Sequence, residues 1–366
     1  MFDKKQLKNL DFVIFITLIT IILLGIVIIG SATHIFDGGS LRFIKTQIIA
    51  FVIGLIAMFF IIMVDYNEIG KYYKLIYIIN IIMLFAVLAI GVTKKGAQSW
   101  ITIGGFGFQP SEFAKIAVII TLAKHLEDKE GKLNTIRDII PILIHIGIPI
   151  ILILLQPDLG TALVFIVILI GMLFAAGLNT KFIYGGMGAG LAFIPIAWNF
   201  LKDYQKKRIL VFLNPNLDPL GSGYNVIQSK IAVGSGQFFG KGLFQGTQNK
   251  LNFIPEKHTD FIFSVLGEEL GFIGTVSLLI LYLILITRSL RIARLAKDSF
   301  GSLIVVGVIS MIVFQIFENM GMAIGIMPVT GIPLPFMSYG GTSLIAYMMG
   351  IGLVLNVGMR RQKINF

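Results

Sequence analysis

Residues 12–32 read FVIFITLITIILLGIVIIGSA, a stretch without a charge, and runs like it recur to the end of the chain. Such a segment has few stable fates. A helix that crosses a bilayer needs about 20 mostly apolar residues, and it satisfies every backbone group within the segment. Ten such runs are readable, at roughly 12–32, 46–64, 74–92, 111–124, 139–155, 159–178, 182–200, 261–286, 302–323 and 341–358. The fourth and fifth are short by that measure. The runs are continuous rather than alternating, which argues against a β-barrel. Charged residues are 13% of 366 and the mean hydropathy is +0.89, whereas soluble domains carry roughly 25% charged residues. The sequence describes an all-α polytopic membrane protein with about ten transmembrane helices.

Lysine and arginine set the orientation. With the N-terminus inside, the cytoplasmic segments hold 17 of them and the short outer loops hold 4, namely Arg42, Lys45, Lys94 and Lys95. An even number of spans puts both termini in the cytoplasm. The residues 201–260 then form a large extracytoplasmic loop before the eighth helix, within a single integral membrane domain covering 1–366. The net charge of +11 is spread over many loops. It fits the cytoplasmic bias and an anionic lipid surface, and it is a poor footprint for nucleic acid. The first run is too long for a signal h-region, and no small-residue cleavage site follows it. The chain has no cysteine, and its four histidines are scattered without a zinc motif.

Polar residues at helix mouths are the informative ones. Ionisable groups at membrane depth are costly and usually face a cavity, a partner or a substrate path. By that rule Asp260, at the mouth of the eighth run, and the acidic pair Glu268–Glu269 inside it both stand out. Four clusters lie on the outer side. The first holds Trp100 and Gln109-Pro110-Ser111-Glu112, then Lys115. Pro110 and Ser111 suit a helix start, and Glu112 shares a helix face with Lys115, three residues on. A cap with a local ion pair is one reading, and a functional pair is the other. The second is Gln156-Pro157-Asp158-Leu159-Gly160, where Asp158 is either a helix N-cap or a contact for substrate or cation. The third is the long loop, with Arg208, Tyr224, Gln228, a glycine-rich stretch and then His258-Thr259-Asp260. Within it, residues 227–233 suit a short amphipathic helix on the membrane surface. The fourth runs from Pro328 through Ser338-Tyr339-Gly340 and is an irregular segment expected to line a cavity.

Taken in order, Gln109 to Glu112, Gln156 to Gly160, Pro255 to Phe263 and Pro328 to Gly341 resemble the motifs of the SEDS family of peptidoglycan glycosyltransferases. The resemblance covers essentially the whole chain. Pro328 to Pro335 looks more like the rod-shape elongation branch than the division branch, with the sporulation branch as the alternative. One departure is Ser99, where many relatives carry Arg, so a pyrophosphate contact from that position is not implied.

The resemblance implies a SEDS fold that polymerises lipid II into β-1,4 glycan strands at the outer face of the cytoplasmic membrane. Undecaprenyl pyrophosphate is released during cell elongation. It also implies a class B penicillin-binding protein, a transpeptidase, as partner. Asp260 is then the general base, with Glu112 and Lys115 as further catalytic residues. Candidate contacts to lipid II or the undecaprenyl-linked glycan are Trp100, Gln109, Ser111, Asp158, Arg208, Tyr224, Gln228, His258, Thr259, Ser338, Tyr339 and Gly340. No organic cofactor is expected. If a divalent cation such as Mg or Mn takes part, Asp260, Glu112 and Asp158 are its candidate ligands. The competing reading is a lipid II flippase or other transporter. Transporters usually keep ionisable residues near the midplane and show internal repeats. In this chain the acids cluster at helix mouths, and no repeat is visible.

Overall fold

The computed structural model describes residues 9–35, 40–94, 97–103, 106–131, 133, 135–219 and 221–361. Helices stand at all ten expected runs. The first four helices are α1 Phe12–Ala32, α2 Arg42–Met63, the short α3 Tyr66–Lys71 and α4 Tyr73–Ile90. After a small sheet come α5 Pro110–Glu127, α6 Ile136–Leu155, α7 Leu159–Ala175 and α8 Thr180–Phe200. The long loop folds into α9 Asp203–Leu213, α10 Ser222–Ser235 and the one-turn α11 Thr247–Lys250. The chain ends with α12 Ile262–Arg294, α13 Ser299–Ile324 and α14 Gly341–Met359.

Among the described residues, seven helices are long and apolar enough to cross a membrane, and α7 is a shorter apolar helix. The other two explain their own exclusion. Helix α5 carries Glu112, Lys115, Lys124 and Glu127, and α8 is rich in glycine. Local sequence sets the ends. Asp11 caps α1 by accepting from Val13 N and Ile14 N, Asp298 caps α13 through Gly301 N, and Gly325 ends α13 in the left-handed region. Prolines inside α6 and α8 are tolerated, as membrane helices allow.

Of the seven candidate spans, α13 and α14 are the most enclosed, with α2 laid along α14. Helix α8 shows no buried residue among those described. Large exposed side chains such as Phe60, Phe85, Ile56 and Leu283 lie on outer faces, where lipid rather than water would meet them.

The two ends of the bundle differ. At the end where α1 begins and α14 finishes, acids meet bases and hydroxyls. Arg288 pairs with Asp11 at 3.3 Å, Arg360 with Asp65 at 3.1 Å, and the Tyr66 hydroxyl donates to Asp298 at 2.7 Å. The other end holds a three-stranded antiparallel sheet of β1 Val92–Lys94, β2 Ala97–Ile103 and β3 Phe106–Phe108, in order β1-β2-β3. Val92 faces Trp100, and Ile101 faces Phe108. The expectation of helix alone missed this sheet, although Trp100-Ile101-Thr102-Ile103 is a β-branched and aromatic run. The surface helix expected over 227–233 is part of α10. Its Val226, Ser229 and Ala232 are buried. Ser229 Oγ lies 2.6 Å from Ser264 Oγ of α12, so this helix packs on protein.

Candidate active site

Helix α12 is two helical pieces joined at Gly271, whose φ of 63° and ψ of −157° suit glycine alone. A Cβ there would lie 2.3 Å from Gly240 N. In an unbroken helix the Glu268 and Glu269 carbonyls would accept from residues 272 and 273. Here they accept from Lys241 N and Gly242 N, both at 3.0 Å, while Phe272 N and Ile273 N donate to the Gln237 and Phe238 carbonyls at 2.8 and 3.2 Å. The glycine-rich loop thus completes the broken ladder.

The Glu268 and Glu269 side chains fasten the same loop. Glu268 Oε1 accepts from Lys241 Nζ and Gln248 N, each at 2.8 Å, and its Oε2 accepts from Asn249 N at 3.1 Å. Glu269 takes the Ser31 hydroxyl, Asn249 Nδ2 at 3.0 Å and Phe244 N at 3.1 Å. The pair was expected to face a cavity, a partner or a substrate path. Both carboxyls are instead fully buried and spent on this loop. Nearby, Lys257 Nζ donates to Asn249 O at 2.7 Å and Asn252 Oδ1 at 2.8 Å, and touches His34 Nε2. Burial pushes Lys257 down to about 8, against the pull of Glu269 and Glu268.

Asp260 sits just before α12 and is 9% exposed. Its main chain is fastened with unusual completeness. The carbonyls of His258, Thr259 and Asp260 each accept one hydrogen bond, from Tyr339 N at 2.9 Å, Ser338 Oγ at 2.6 Å and Asn319 Nδ2 at 2.9 Å. The donors from 338 and 339 lie on the irregular strap of residues 326–340. Ser338 Oγ also accepts from Leu334 N, and Asn319 Nδ2 also reaches Ile332 O at 2.8 Å. Gln47 of α2 closes the far side, donating to Ser338 O at 3.2 Å and accepting from Gly340 N at 3.1 Å. The Asp260 carboxylate lies against Gly331, with Oδ2 3.6 Å from where a Cβ would stand. Gly331 has a φ of +80°, which favours glycine.

The same strap gathers the other motifs. Arg208 of α9 donates from NH1 to Thr330 O at 3.2 Å, and its guanidinium lies 5.6 Å from the Tyr204 ring. The Tyr204 hydroxyl donates to Pro157 O at 2.8 Å, and burial pushes that hydroxyl's pKa up. Asp158 caps α7, taking Thr161 N at 3.0 Å and the Thr161 hydroxyl at 2.9 Å. A Cβ on Gly160 would press on Ile332 at 3.1 Å, so the start of α7 packs directly against the strap.

Glu112 and Lys115 form a buried pair inside the bundle, and Tyr347 touches both that pair and Phe336 of the strap. Lys115 Nζ is 2.9 Å from both Glu112 oxygens, and the two residues are 2% and 1% exposed. The ammonium also stands 5.4 Å from the Tyr347 ring, and the Tyr347 hydroxyl accepts from Gln315 Nε2 at 3.0 Å. Ser111 is buried, with no hydrogen-bond partner for its hydroxyl among the described residues. Gln109 caps α5 through its carbonyl, which accepts from Glu112 N at 3.1 Å. Trp100 is half-buried on β2. Tyr224 and Gln228 lie on α10, both half-buried. His258 is sandwiched near Phe43 and Tyr339, with ring centroids 4.6 and 5.6 Å away.

The structure therefore unites His258, Thr259, Asp260, Arg208, Ser338, Tyr339 and Gly340 around one strap. It seats Asp158 at the cap of the helix that abuts the strap, and it keeps Glu112 with Lys115 in a separate pair. The three acids named as candidate ligands do not form a cluster. Among the described residues no group of three or more His, Asp or Glu could hold a metal ion. Glu112 is engaged by Lys115 and Asp158 by its helix. Sequence reasoning missed Asn319, Glu318 and Gln47. Their only signal was a polar residue inside an apolar run.

A family model, FTSW_RODA_SPOVE, described as cell cycle protein, matches residues 11–363. Peptidoglycan glycosyltransferase MrdB of Escherichia coli (strain K12) is 40% identical, over 98% of this chain and 95% of the relative. Stage V sporulation protein E of Bacillus subtilis (strain 168) is 43% identical, over 98% of each. A chain of a solved peptidoglycan synthase complex that coordinates polymerization and crosslinking superposes with a TM-score of 0.82 at 33% identity, covering 95% of this chain and 97% of that one. The crystal structure of the Thermus thermophilus rod shape determining protein RodA gives a TM-score of 0.73 at 30% identity, covering 97% and 98%.

Proposed function

The chain belongs to the FtsW/RodA/SpoVE family of multi-span membrane proteins, and on that premise we propose that it is a peptidoglycan glycosyltransferase with Asp260 as its general base. The observation that carries the residue assignment is the fastening of the three carbonyls from 258 to 260, which holds the carboxylate against the bare backbone of Gly331. A base must be held in place before its strength matters.

The substrate class is lipid II, with an undecaprenyl-linked glycan as donor. The acceptor's 4-hydroxyl gives its proton to Asp260 as its oxygen attacks the donor's anomeric carbon. The bond from that carbon to pyrophosphate breaks on the opposite face. The α-linkage becomes a β-1,4 bond, and undecaprenyl pyrophosphate leaves with the electron pair. Arg208, already reaching Thr330 O, supplies positive charge beside the strap for the departing phosphate. The Glu112–Lys115 pair acts through the bundle as a positioning element, since both groups are buried and Tyr347 links them to Phe336 of the strap. Trp100, Gln109, Ser111, Tyr224 and Gln228 are reserved for sugar or phosphate contacts.

The residues do not fit a protein-built metal cage. Asp260 would be the carboxylate nearest such an ion, which substrate phosphates would otherwise hold, as Mg often binds. The chemistry of such an ion is charge neutralisation on the leaving group. EDTA should then suppress polymerisation and added Mg or Mn restore it, whereas indifference to chelation removes the ion.

The lysine and arginine bias, 17 against 4, supports a location in the bacterial cytoplasmic membrane with both termini inside and the 201–260 segment outside. The whole chain acts as one membrane domain, in an elongation role. A class B penicillin-binding protein is the partner class, in keeping with the synthase complex that this chain resembles. The test is polymerisation of labelled lipid II by purified protein with that partner. Asp260→Asn keeps shape and removes the base, so glycan strands should vanish from the gel. Undiminished strands from that variant overturn the assignment.

A further inference from the structure

One ionisable group beside the strap has no part in the scheme above. Glu318 lies near the end of α13 between Phe317 and Asn319, is 2% exposed, and its Oε1 has no hydrogen-bond partner among the described residues. A buried carboxyl in an apolar helix is destabilising unless something uses it. Thr330 of the strap lies within reach of that carboxyl. Its hydroxyl is likewise buried and not aligned into a bond. The neighbours on both chains are the machinery already described. Asn319 holds Asp260 O and Ile332 O, Thr330 O takes Arg208, and Gly331 carries the Asp260 carboxylate.

We propose that Glu318 is a positioning residue for the transfer reaction: its carboxyl takes the Thr330 hydroxyl and so fixes Gly331 beside Asp260 and Thr330 O beside Arg208. A rotation of the Thr330 side chain completes the bond. The Glu318–Thr330 latch then acts on both ends of the reaction, since one strap residue bears on the base and the other on the cation. This inference rests on the assignment of Asp260 as base.

Steady-state kinetics on lipid II, per folded molecule by size exclusion and with the partner present, test it. Glu318→Leu should lower kcat about tenfold, the worth of one hydrogen bond, with KM within about twofold. Glu318→Gln keeps a hydrogen-bonding group and should recover most of kcat. Thr330→Val should match Glu318→Leu, and the double variant should be no slower than either single one. A parental kcat in Glu318→Leu, a Gln variant as slow as Leu, or losses that multiply in the double variant would each overturn the latch. Asp260→Asn run alongside separates the two ideas. Full activity there removes the base, while an inactive Asp260→Asn beside a fully active Glu318→Leu removes the latch alone.

Discussion

Asp260 and the Glu268–Glu269 pair lie within one short stretch around the start of α12, yet the protein treats them in opposite ways. The glutamates are held by their carboxyls, which collect backbone amides, a hydroxyl and an ammonium until their oxygens are occupied. Asp260 is held by its main chain, in line with two neighbouring carbonyls, while its carboxylate rests on a glycine. An acid that stabilises is saturated at its side chain. An acid that reacts is better fixed through its backbone, because the chain itself then aims the carboxylate. Burial alone does not tell the two apart, since all three residues are buried.

The contrast is sharpest as a trade between activity and stability. Asp260→Asn should cut polymerisation by at least about 100-fold and leave the thermal midpoint near that of the parent. Glu268→Leu should do the reverse. It leaves two loop amides unmatched and removes the carboxylate from Lys241, so roughly 2–5 kcal/mol of stability should be lost. The surviving folded fraction should turn over almost normally. If Glu268→Leu were stable and inactive, the distinction would fail. A smaller effect is expected at the glycine beside Asp260. Gly331→Ala places a Cβ by Asp260 Oδ2 at a φ of +80°, and strain of about 1–3 kcal/mol should appear as slower turnover before it appears as unfolding.

A separate, pH-dependent effect concerns Lys257, on the glutamate side. Unfolded, its amine holds a proton up to about 10.5; folded, only to about 8. Between those values the unfolded chain binds more protons, so stability should rise with pH from about 8 to about 10.5, and the penalty is complete below that window. Lys257→Met should abolish the rise. A stability curve that is flat for the parent across this window would dismiss the burial of the ammonium.

Much of this was readable in advance where a single physical rule dominates. Bilayer thickness fixes helix length, so the ten runs became ten helices with ends shifted by only a few residues at most positions. Local rules also worked: Asp158 is a cap, as its place before Leu159 allowed. What could not be read depends on residues far apart in the chain. Asn319 looks like a polar lapse in α13 until Asp260 and Ile332 are brought to its amide. Gln47 means nothing without Ser338 and Gly340. Glu268 and Glu269 were misjudged because the rule about ionisable groups in membranes does not see a loop folding back over them. The strands β1 to β3 are only three to seven residues long, too short for their pattern to stand out between long apolar runs.

The interruption at Gly271 has a mechanical consequence. Bilayers differ in thickness, and a spanning helix adjusts by leaning. A continuous rod would swing whatever is mounted on its tip. Because α12 is jointed there, and the short upper piece is strapped to the loop and to α13, the lower rod can lean while Asp260 keeps its aim.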